Sequence, residues 1–214
     1  MSAKGWGKPR LWKICRRAVW VIGLAASMTG CARLFGWDIH APGILSQNYY
    51  QRMPVSEERV ALFMTPGLIN CVSTDKGTRW SDPQTYHVGE AAVPIMIEGF
   101  QHSFGEFVSL ETEPEPDILR QYGIPYLVVV DFRDFWNLKK FKSQALVLET
   151  EVGIYDSNMK LLARFLARGT SDAQQVFAKK GGPEVNMNAA IENNVLVTTE
   201  FVLDFITARK AANR

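Results

Sequence analysis

Residues 125–136 read PYLVVVDFRDFW, and the predicted fold is organised around this stretch. Its first half is apolar on both faces, which is typical of a central strand covered on either side. Its second half mixes charged and aromatic residues, as expected where a strand leaves the buried part of a sheet. The sequence therefore predicts a long central strand over residues 125–136.

Residues 143–155 and 160–168, which follow this strand, form the clearest motif, a β-hairpin around residues 156–159. Pairing Tyr155 with Lys160 places Glu151 opposite Arg164, an opposite-charge pair. The same register gathers one apolar face, which is made of Leu148, Thr150, Val152, Ile154, Leu161, Ala163, Phe165 and Ala167. One face of the hairpin is then buried and the other is exposed to solvent, which specifies the register.

The elements before the central strand are predicted as a strand over 58–65, a helix over 88–104, a strand over 106–111 and a helix over 117–122. Residues 66–86 show no clear period, so they are predicted to be a long loop that is either functional or hides an element. The acidic residues among the prolines of 111–117 suit a helix start better than a wrapped calcium loop.

The helix over 88–104 is predicted from apolar residues at helical spacing, namely Val93, Ile97, Phe100 and Phe104. Pro94 is expected to lie in the first turn, which would start the helix near Ala92, or to kink it. Gly105 is expected to end it. After a short helix or turn over 171–179, residues 184–210 predict a final helix, with a stripe of Met187, Ile191, Val195, Val202 and Phe205.

These elements together predict an α/β fold. It is a single two-layer sandwich, with a mixed sheet that ends in an antiparallel hairpin and a long C-terminal helix.

The N-terminus predicts export and lipid attachment. A basic leader precedes the apolar residues 19–31, VWVIGLAASMTGC, a run too short to span a bilayer comfortably. Its last residues, Met28, Thr29, Gly30 and Cys31, resemble a bacterial lipobox, which implies lipidation of Cys31 with acyl chains such as palmitate. The predicted organisation is a signal peptide over 1–30, a tether over 31–56 and a periplasmic α/β domain over 57–214. A general secretory signal is favoured over a twin-arginine signal, which Arg16 and Arg17 leave open.

Cleavage changes the charge of the chain. The chain carries 24 Lys and Arg against 22 Asp and Glu, and residues 1–30 hold six basic and no acidic residues, so the mature chain has a net charge of −4. This balance argues against nucleic-acid binding, which depends on neutralising phosphates, and no nucleic-acid partner is predicted. With Cys15 removed and Cys31 lipidated, Cys71 has no partner for an intramolecular disulfide. The tether is rich in apolar residues, so it is expected to pack on the domain or to dip into the membrane interface.

No catalytic motif is found, and the sequence predicts a protein that is not an enzyme and binds no cofactor. Asp131 and Asp134 could form an acid–base pair, but a strand-end charge cluster is favoured. His87 with Glu90 offers two metal ligands where a site needs three or four, so no metal site is predicted. The helical pair of Glu98 and His102 is interpreted as solvated.

Aromatic and basic residues at the end of the central strand predict a partner-binding surface made of Phe132, Arg133, Phe135 and Trp136. Aromatic residues and Arg are enriched at protein interfaces. The alternative is that the aromatic residues cap the core where the strand leaves the sheet.

The lipobox, the tether and PYLVVVDFRDFW followed by the hairpin resemble the layout of bacterial envelope lipoproteins. Among them are the auxiliary lipoproteins of ABC-type lipid-transport systems, and lipoproteins whose fold is similar to the amino-terminal domain of TolB. The resemblance implies an outer-membrane lipoprotein facing the periplasm, since Ala32 rather than Asp follows the lipidated cysteine. It also implies protein partners in an envelope complex and a role as a non-enzymatic accessory in transport or assembly.

Two other functions stay open. A structural homo-oligomer could build a secretion or surface-appendage apparatus. A hydrolase acting on cell-wall or lipid substrates would require a cleft that unites Asp131, Asp134 and a histidine.

Overall fold

The computed structural model describes residues 36–77, 82–140, 143–172, 174–175 and 182–212. Backbone proximity divides the chain into one unit of Met1–Trp37 with Lys76–Gln84 and a second of Asp38–Asp75 with Thr85–Arg214. In the described part of the first unit, the backbone N–H of Trp37 donates to the carbonyl of Pro83 over 2.9 Å. The second unit contains the main sheet and the long helices.

The described elements run in the order β1 Trp37–Ile39, α1 Gln47–Arg52, β2 Ser56–Met64, α2 Pro66–Ile69, β3 Ser73–Asp75, β4 Gln84–Tyr86, α3 Val88–Ser103, β5 Phe104–Leu110, α4 Pro116–Gln121, β6 Tyr126–Lys140, β7 Ser143–Tyr155, β8 Leu161–Thr170, β9 Gln174–Gln175 and α5 Pro183–Ala212. The main sheet has the strand order β5-β2-β6-β7-β8, with β9 paired to β7, and a small sheet has the order β1-β4-β3. The predicted α/β class, with a mixed sheet and a long C-terminal helix, is confirmed.

Strand β6 is central, as predicted from PYLVVVDFRDFW. It pairs in parallel with β2, from Val60 opposite Tyr126 to Met64 opposite Val130, and antiparallel with β7 along its other edge. Leu127, Val128 and Val130 are fully buried. The apolar half of the strand is therefore covered on both faces, which is why its sequence does not alternate.

A β-bulge at Arg133 changes the face of the sheet on which the following side chains of β6 lie. The register with β7 shifts between Phe132 and Asp134, so Arg133 is the extra residue. Because the bulge reverses the alternation of side chains, Phe132 and Phe135 both face the same core although they are three residues apart. Trp136 consequently points to the opposite face of the sheet.

The core lies between one face of the main sheet and helices α3 and α5. Its fully buried members include Leu62, Leu148, Val152, Phe100, Ile191, Val195 and Val202. On the other face a smaller cluster gathers Ala61, Leu119, Ile124 and Leu127, where α4 packs on the sheet. The rest of that second face belongs to β6, β7 and β8.

The hairpin over β7 and β8 is confirmed, but its predicted register is wrong by two residues. Glu151 pairs with Leu166 rather than Arg164. A β-bulge between Ile154 and Tyr155 makes the error one residue at Tyr155, which pairs with Leu161 rather than Lys160. The carboxylate of Asp156 accepts the backbone N–H groups of Asn158 and Lys160, which closes the turn differently. A shift of two keeps residues 163–167 on their predicted faces. Leu161, which was predicted on the buried face, instead pairs with Tyr155 and is 43% exposed, and Leu162 packs against the core. Arg164 still reaches Glu151 diagonally, with 3.2 Å between Nε and Oε1.

Helix α3 departs from the prediction at both ends. It begins at Val88, so Pro94 lies inside the helix and not in its first turn. It ends at Ser103 and Phe104 continues directly as strand, so Gly105 does not terminate it. The buried face centres on Ala92, Ile95, Met96, Gly99 and Phe100, while Val93 and Ile97 are only half-buried.

The predicted loop over 66–86 contains α2, β3 and β4, elements of four residues or fewer that carry no period. Within 171–179 the structure describes a two-residue strand, β9, and most of that segment lies outside the described residues. The stripe predicted for α5 is buried as far as Val202, but Ile206 is buried where Phe205 was expected.

Residues 38–56, within the predicted tether, pack on the core. Ile39, Leu45, Tyr49 and Met53 are buried there. The amide of Asn188 on α5 donates to the carbonyl of Ile44 over 2.7 Å, and the backbone N–H of Ser46 donates to Glu192 over 3.0 Å. These bonds join the segment to α5.

Candidate functional site

The candidate site is the part of the second sheet face that extends beyond α4, which we call the outer face. It is formed by side chains of β6, β7 and β8, namely Asp131, Arg133, Asp134, Trp136, Glu149, Glu151, Arg164, Leu166 and Arg168. Charged residues therefore surround one tryptophan and one leucine. Leu166 is 55% exposed, which is unusual for a leucine in the middle of a strand.

Trp136 is half-buried and is covered from one side by Arg168. The guanidinium carbon of Arg168 lies 5.1 Å from the ring centroid of Trp136, within the range of a cation–π contact. Arg168 therefore covers part of the indole, and another part of its surface stays open to solvent.

A shallow depression of about 310 Å³ lies beside the ion pair of Glu151 and Arg164, and Arg133, Phe165 and Leu166 complete its lining. The bulge places Arg133 in this lining. Ligand sites for small molecules are mostly apolar and enclosed. This depression is instead open and is lined mainly by charged side chains.

The structure separates the four residues predicted to bind a partner. Phe135 is buried, with its ring centroid 5.1 Å from that of Tyr86, and Phe132 packs against the core. Arg133 and Trp136 lie on the outer face. Phe132 and Phe135 therefore cap the core, as the alternative interpretation held, and of the four residues only Arg133 and Trp136 lie on the outer face.

Asp131 and Asp134 are held by local hydrogen bonds. The hydroxyl of Thr65 donates to Asp131, and the carboxylate of Asp134 accepts the backbone N–H of Phe135 over 2.8 Å. Within the part of the chain that the structure describes, neither belongs to a close group of three or more His, Cys, Asp or Glu ligand atoms.

Cys71 and Glu98 also have local explanations. Burial raises the pKa of the Cys71 thiol to about 11, so the thiolate that a nucleophile needs is scarce near neutral pH. The hydroxyl of Tyr50 donates to Glu98, and this bond raises the pKa of Tyr50 to about 12. The ring of His102 meets Tyr50 edge-on at 5.0 Å, so Tyr50 contacts both members of the predicted helical pair.

A second depression, of about 260 Å³, joins β3, β4 and β6 and is not anticipated by the sequence analysis. Tyr86 lies at its base, and its hydroxyl accepts the side-chain amides of Gln144 over 2.8 Å and Asn137 over 3.1 Å. Burial raises the pKa of Tyr86, so this hydroxyl stays protonated and acts as a structural hydrogen-bonding group. No local pattern links these residues in the sequence.

Cys31 lies outside the described residues, so its lipidation stays a prediction. Among the residues that were placed, no helix has both the length and the apolar character needed to cross a membrane.

No protein-family model and no curated protein matches this chain. Among solved structures, the chain is similar to a point variant of the PelC dodecamer from Paraburkholderia phytofirmans, with 12% identity, a TM-score of 0.37 and coverage of 67% of this chain and 92% of that one. It is similar to the hypothetical protein CT253 from Chlamydia trachomatis, with 9% identity, a TM-score of 0.43 and coverage of 71% and 99%. It is also similar to lipoprotein GNA1162 from Neisseria meningitidis, with 8% identity, a TM-score of 0.35 and coverage of 72% and 99%. Similarities this distant carry no argument about function.

Proposed function

We propose that this protein is a lipid-anchored, non-enzymatic accessory of a bacterial envelope transport or assembly machine, and that it docks a protein partner on the outer face. The observation that carries the proposal is the position of Trp136, which lies under Arg168 on a charged sheet face that also exposes Leu166. Trp and Arg are the residues that most often dominate binding energy at protein interfaces.

The envelope location rests on the N-terminal sequence. The basic leader, the apolar run and the lipobox ending in Cys31 support export and anchoring, and Ala32 supports the outer membrane. A lipobox cysteine carries several acyl chains in the resembled families, and more than one chain is needed for durable anchoring. The mature domain would then face the periplasm with a mild negative charge.

The proposed partner is a protein because the outer face offers hot-spot residues without an enclosed cavity. Arg133, Arg164 and Arg168 alternate with Glu149, Glu151 and Asp134 over three adjacent strands. Charges of both signs around an aromatic anchor set the orientation and specificity of a protein contact. A small substrate would be poorly desolvated by the open depression beside Glu151.

Site-specific photo-crosslinking of the full-length chain in its native cells tests the proposal. A crosslinker at position 166 on the outer face is expected to give one discrete heteromeric product, and a crosslinker at the exposed Val55, outside that face, is expected to give none. Trp136→Ala should abolish the product formed from position 166. The same product from both positions, or a product unchanged by Trp136→Ala, would refute the assignment of this face.

A homo-oligomer is the second candidate, favoured by the two edges of the main sheet. Strands β5 and β8 end the described sheet on opposite sides, and β5 exposes Glu106, Val108 and Ser109. An exposed edge is a template for pairing with another chain. Pairing one edge with the different edge of a second copy is heterologous, and such contacts close into rings when the rotation allows.

Native mass measurement of the full-length chain in detergent separates the two candidates. A discrete multimer that dissociates on Val108→Lys, but not on Val55→Lys, would support edge pairing. A monomer that still forms the heteromeric crosslinked product would support the accessory role and contradict edge pairing.

A further inference from the structure

Two histidines and a carboxylate from distant parts of the second unit meet at the N-terminus of α3. His40 follows β1, His87 immediately precedes α3, and Glu90 lies in the first turn of that helix. The imidazole rings of His40 and His87 stack, with centroids 4.1 Å apart and planes 12° from parallel. Nδ1 of His40 lies 2.8 Å from Oε2 of Glu90.

The potential ligand atoms of His40, His87 and Glu90 all lie within 4.8 Å of one another. A fourth group stands close by, since Oδ1 of Asp38 is 3.7 Å from Nε2 of His87. Two imidazoles with one or two carboxylates form a donor set that suits Zn²⁺ and neighbouring transition metals. Calcium and magnesium prefer oxygen ligands, so this donor set disfavours them.

We propose that His40, His87 and Glu90 bind a divalent transition-metal ion of the zinc type, with Asp38 placed to complete the coordination or to orient His87. This site is independent of the outer face and of the proposed accessory function.

The backbone already holds the two histidines together. The N–H of His87 donates to the carbonyl of Ile39 over 3.1 Å, which joins the residue before His40 to the start of α3. A site on fixed backbones needs little reorganisation to receive an ion. The carboxylates are solvent-exposed, so an ion would have open access to the donor atoms.

One ring must turn for the ion to bind. A metal lies in the plane of each imidazole that ligates it, and two stacked rings have separate, parallel planes. His40 is the side chain with more room to turn, because it is 52% exposed, whereas His87 is 29% exposed. Rotation about the Cβ–Cγ bond of His40 would direct its nitrogen lone pair and that of His87 toward the same ion.

The ion would act as a structural clip. His40 belongs to the segment that follows the predicted membrane anchor, and His87 and Glu90 belong to the start of α3. Bonds from Ser46 to Glu192 already join the same segment to α5. Metal binding at a site that exists only in the folded state adds to folding stability.

The competing explanation is a surface cluster of histidines and carboxylates that binds no metal. Exposed ion pairs of this kind contribute little to stability. The two explanations differ in stoichiometry, in metal selectivity and in the identity of the histidines required.

The test uses the full-length chain, purified in detergent with an affinity tag that contains no histidine and then stripped with EDTA. Titration with ZnCl₂ at pH 7.5, followed by calorimetry, should give one saturable site per chain and an increase in Tm, with no response to MgCl₂. His40→Ala and His87→Ala should each weaken zinc binding by at least about 10-fold, because losing a ligand costs at least as much as losing an outer partner of a ligand.

His102→Ala is the matched control, since His102 is the third histidine of the chain and lies at the other end of α3. It should retain the zinc affinity of the unmodified protein. Glu90→Gln changes an exposed side chain without altering its size, so it reports on ligation even if a histidine variant fails to fold. No saturable zinc binding, or binding that is unchanged in His40→Ala and Glu90→Gln, would overturn the proposal.

Discussion

The hydroxyl of Thr150 on β7 donates a hydrogen bond of 3.1 Å to the side-chain oxygen of Asn194 on α5, and both residues are fully buried. The amide nitrogen of Asn194 in turn donates to the carbonyls of Leu148 and Ala167. One polar side chain of the long helix therefore bonds to two adjacent strands in the middle of the core. Buried polar groups are costly unless all their partners are present.

Replacing Asn194 should therefore destabilise the fold. Asn194→Ala leaves the hydroxyl of Thr150 without this partner and opens a small cavity, so we expect a loss of about 2–4 kcal/mol in the free energy of unfolding. Urea denaturation followed by circular dichroism measures it. Asn193→Ala is the matched control, because Asn193 is exposed and donates to the carbonyl of Thr170. Equal losses in the two variants would contradict the role assigned to the buried bond.

Gly169 should tolerate no side chain. A Cβ at this position of β8 would overlap the carbonyl oxygen of Ala190 and the backbone nitrogen of Asn194, neither of which can move without shifting α5. We expect Gly169→Ala to lower the free energy of unfolding by about 3 kcal/mol or more, as for overpacked cores.

Gly105→Ala is the matched control, for which the free energy of unfolding should not fall. The nearest atom to a Cβ there is the carbonyl oxygen of Ser56 at 3.4 Å, and no positive φ is required. This variant should be neutral or stabilising by up to about 1 kcal/mol. Thermal denaturation of the two variants in parallel tests both, and a neutral Gly169→Ala would show that α5 does not approach β8 this closely.

Cys71 should be unreactive in the folded protein. Burial raises the pKa of its thiol to about 11 from an ordinary value of 9.0, so modification by a thiol reagent at pH 8 should be about 100-fold slower than for a free thiol. Unfolding in urea should restore the modification rate of a free thiol. Cys71→Ser, which lacks this thiol, serves as the blank.

The same shift makes stability depend on pH. Above pH 9 the thiol of the unfolded chain loses its proton while the folded chain keeps it, so the stabilisation from the protonated thiol falls between about pH 9 and 11. Cys71→Ser should flatten this part of the stability profile. An unchanged profile would argue against burial of the thiol.

Cys31 should determine attachment to the membrane. Cys31→Ser should abolish acylation and leave uncleaved precursor, while Cys15→Ser, in the part of the leader expected to be removed, should be processed normally. Mass spectrometry of the membrane fraction distinguishes the acylated mature chain from the precursor. Normal processing of Cys31→Ser would refute the lipobox interpretation.

Local pattern was sufficient for the large elements. The apolar run of β6, the alternation of β7 and β8 and the helical spacing in α3 and α5 each extend over many residues, so their type could be predicted. The two-residue error in the hairpin register arose because Asp156 closes the turn with its side chain, a choice that periodicity does not encode.

Tertiary packing decided the details that position side chains. Pro94 is accommodated inside α3 with its ring facing Gly43, whose φ is +66° and where a Cβ would lie 2.9 Å from that ring. Gly89 is required because a Cβ would overlap backbone atoms of Leu68 and Ile69 in α2. Neither constraint can be read from the helix's own sequence.

The sequence by itself was sufficient to predict the cellular location of the protein and the main strands of its sheet. Export signals and periodic strands are local properties of the chain. Only the tertiary structure decided which residues share a surface. PYLVVVDFRDFW suggested one aromatic surface, but the bulge at Arg133 placed Phe135 on the same core-facing side as Phe132 and left Trp136 on the outer face. Likewise His87 and Glu90 were visible as a pair, and only folding brought His40 to them, since contacts between distant segments depend on the packing of the whole domain.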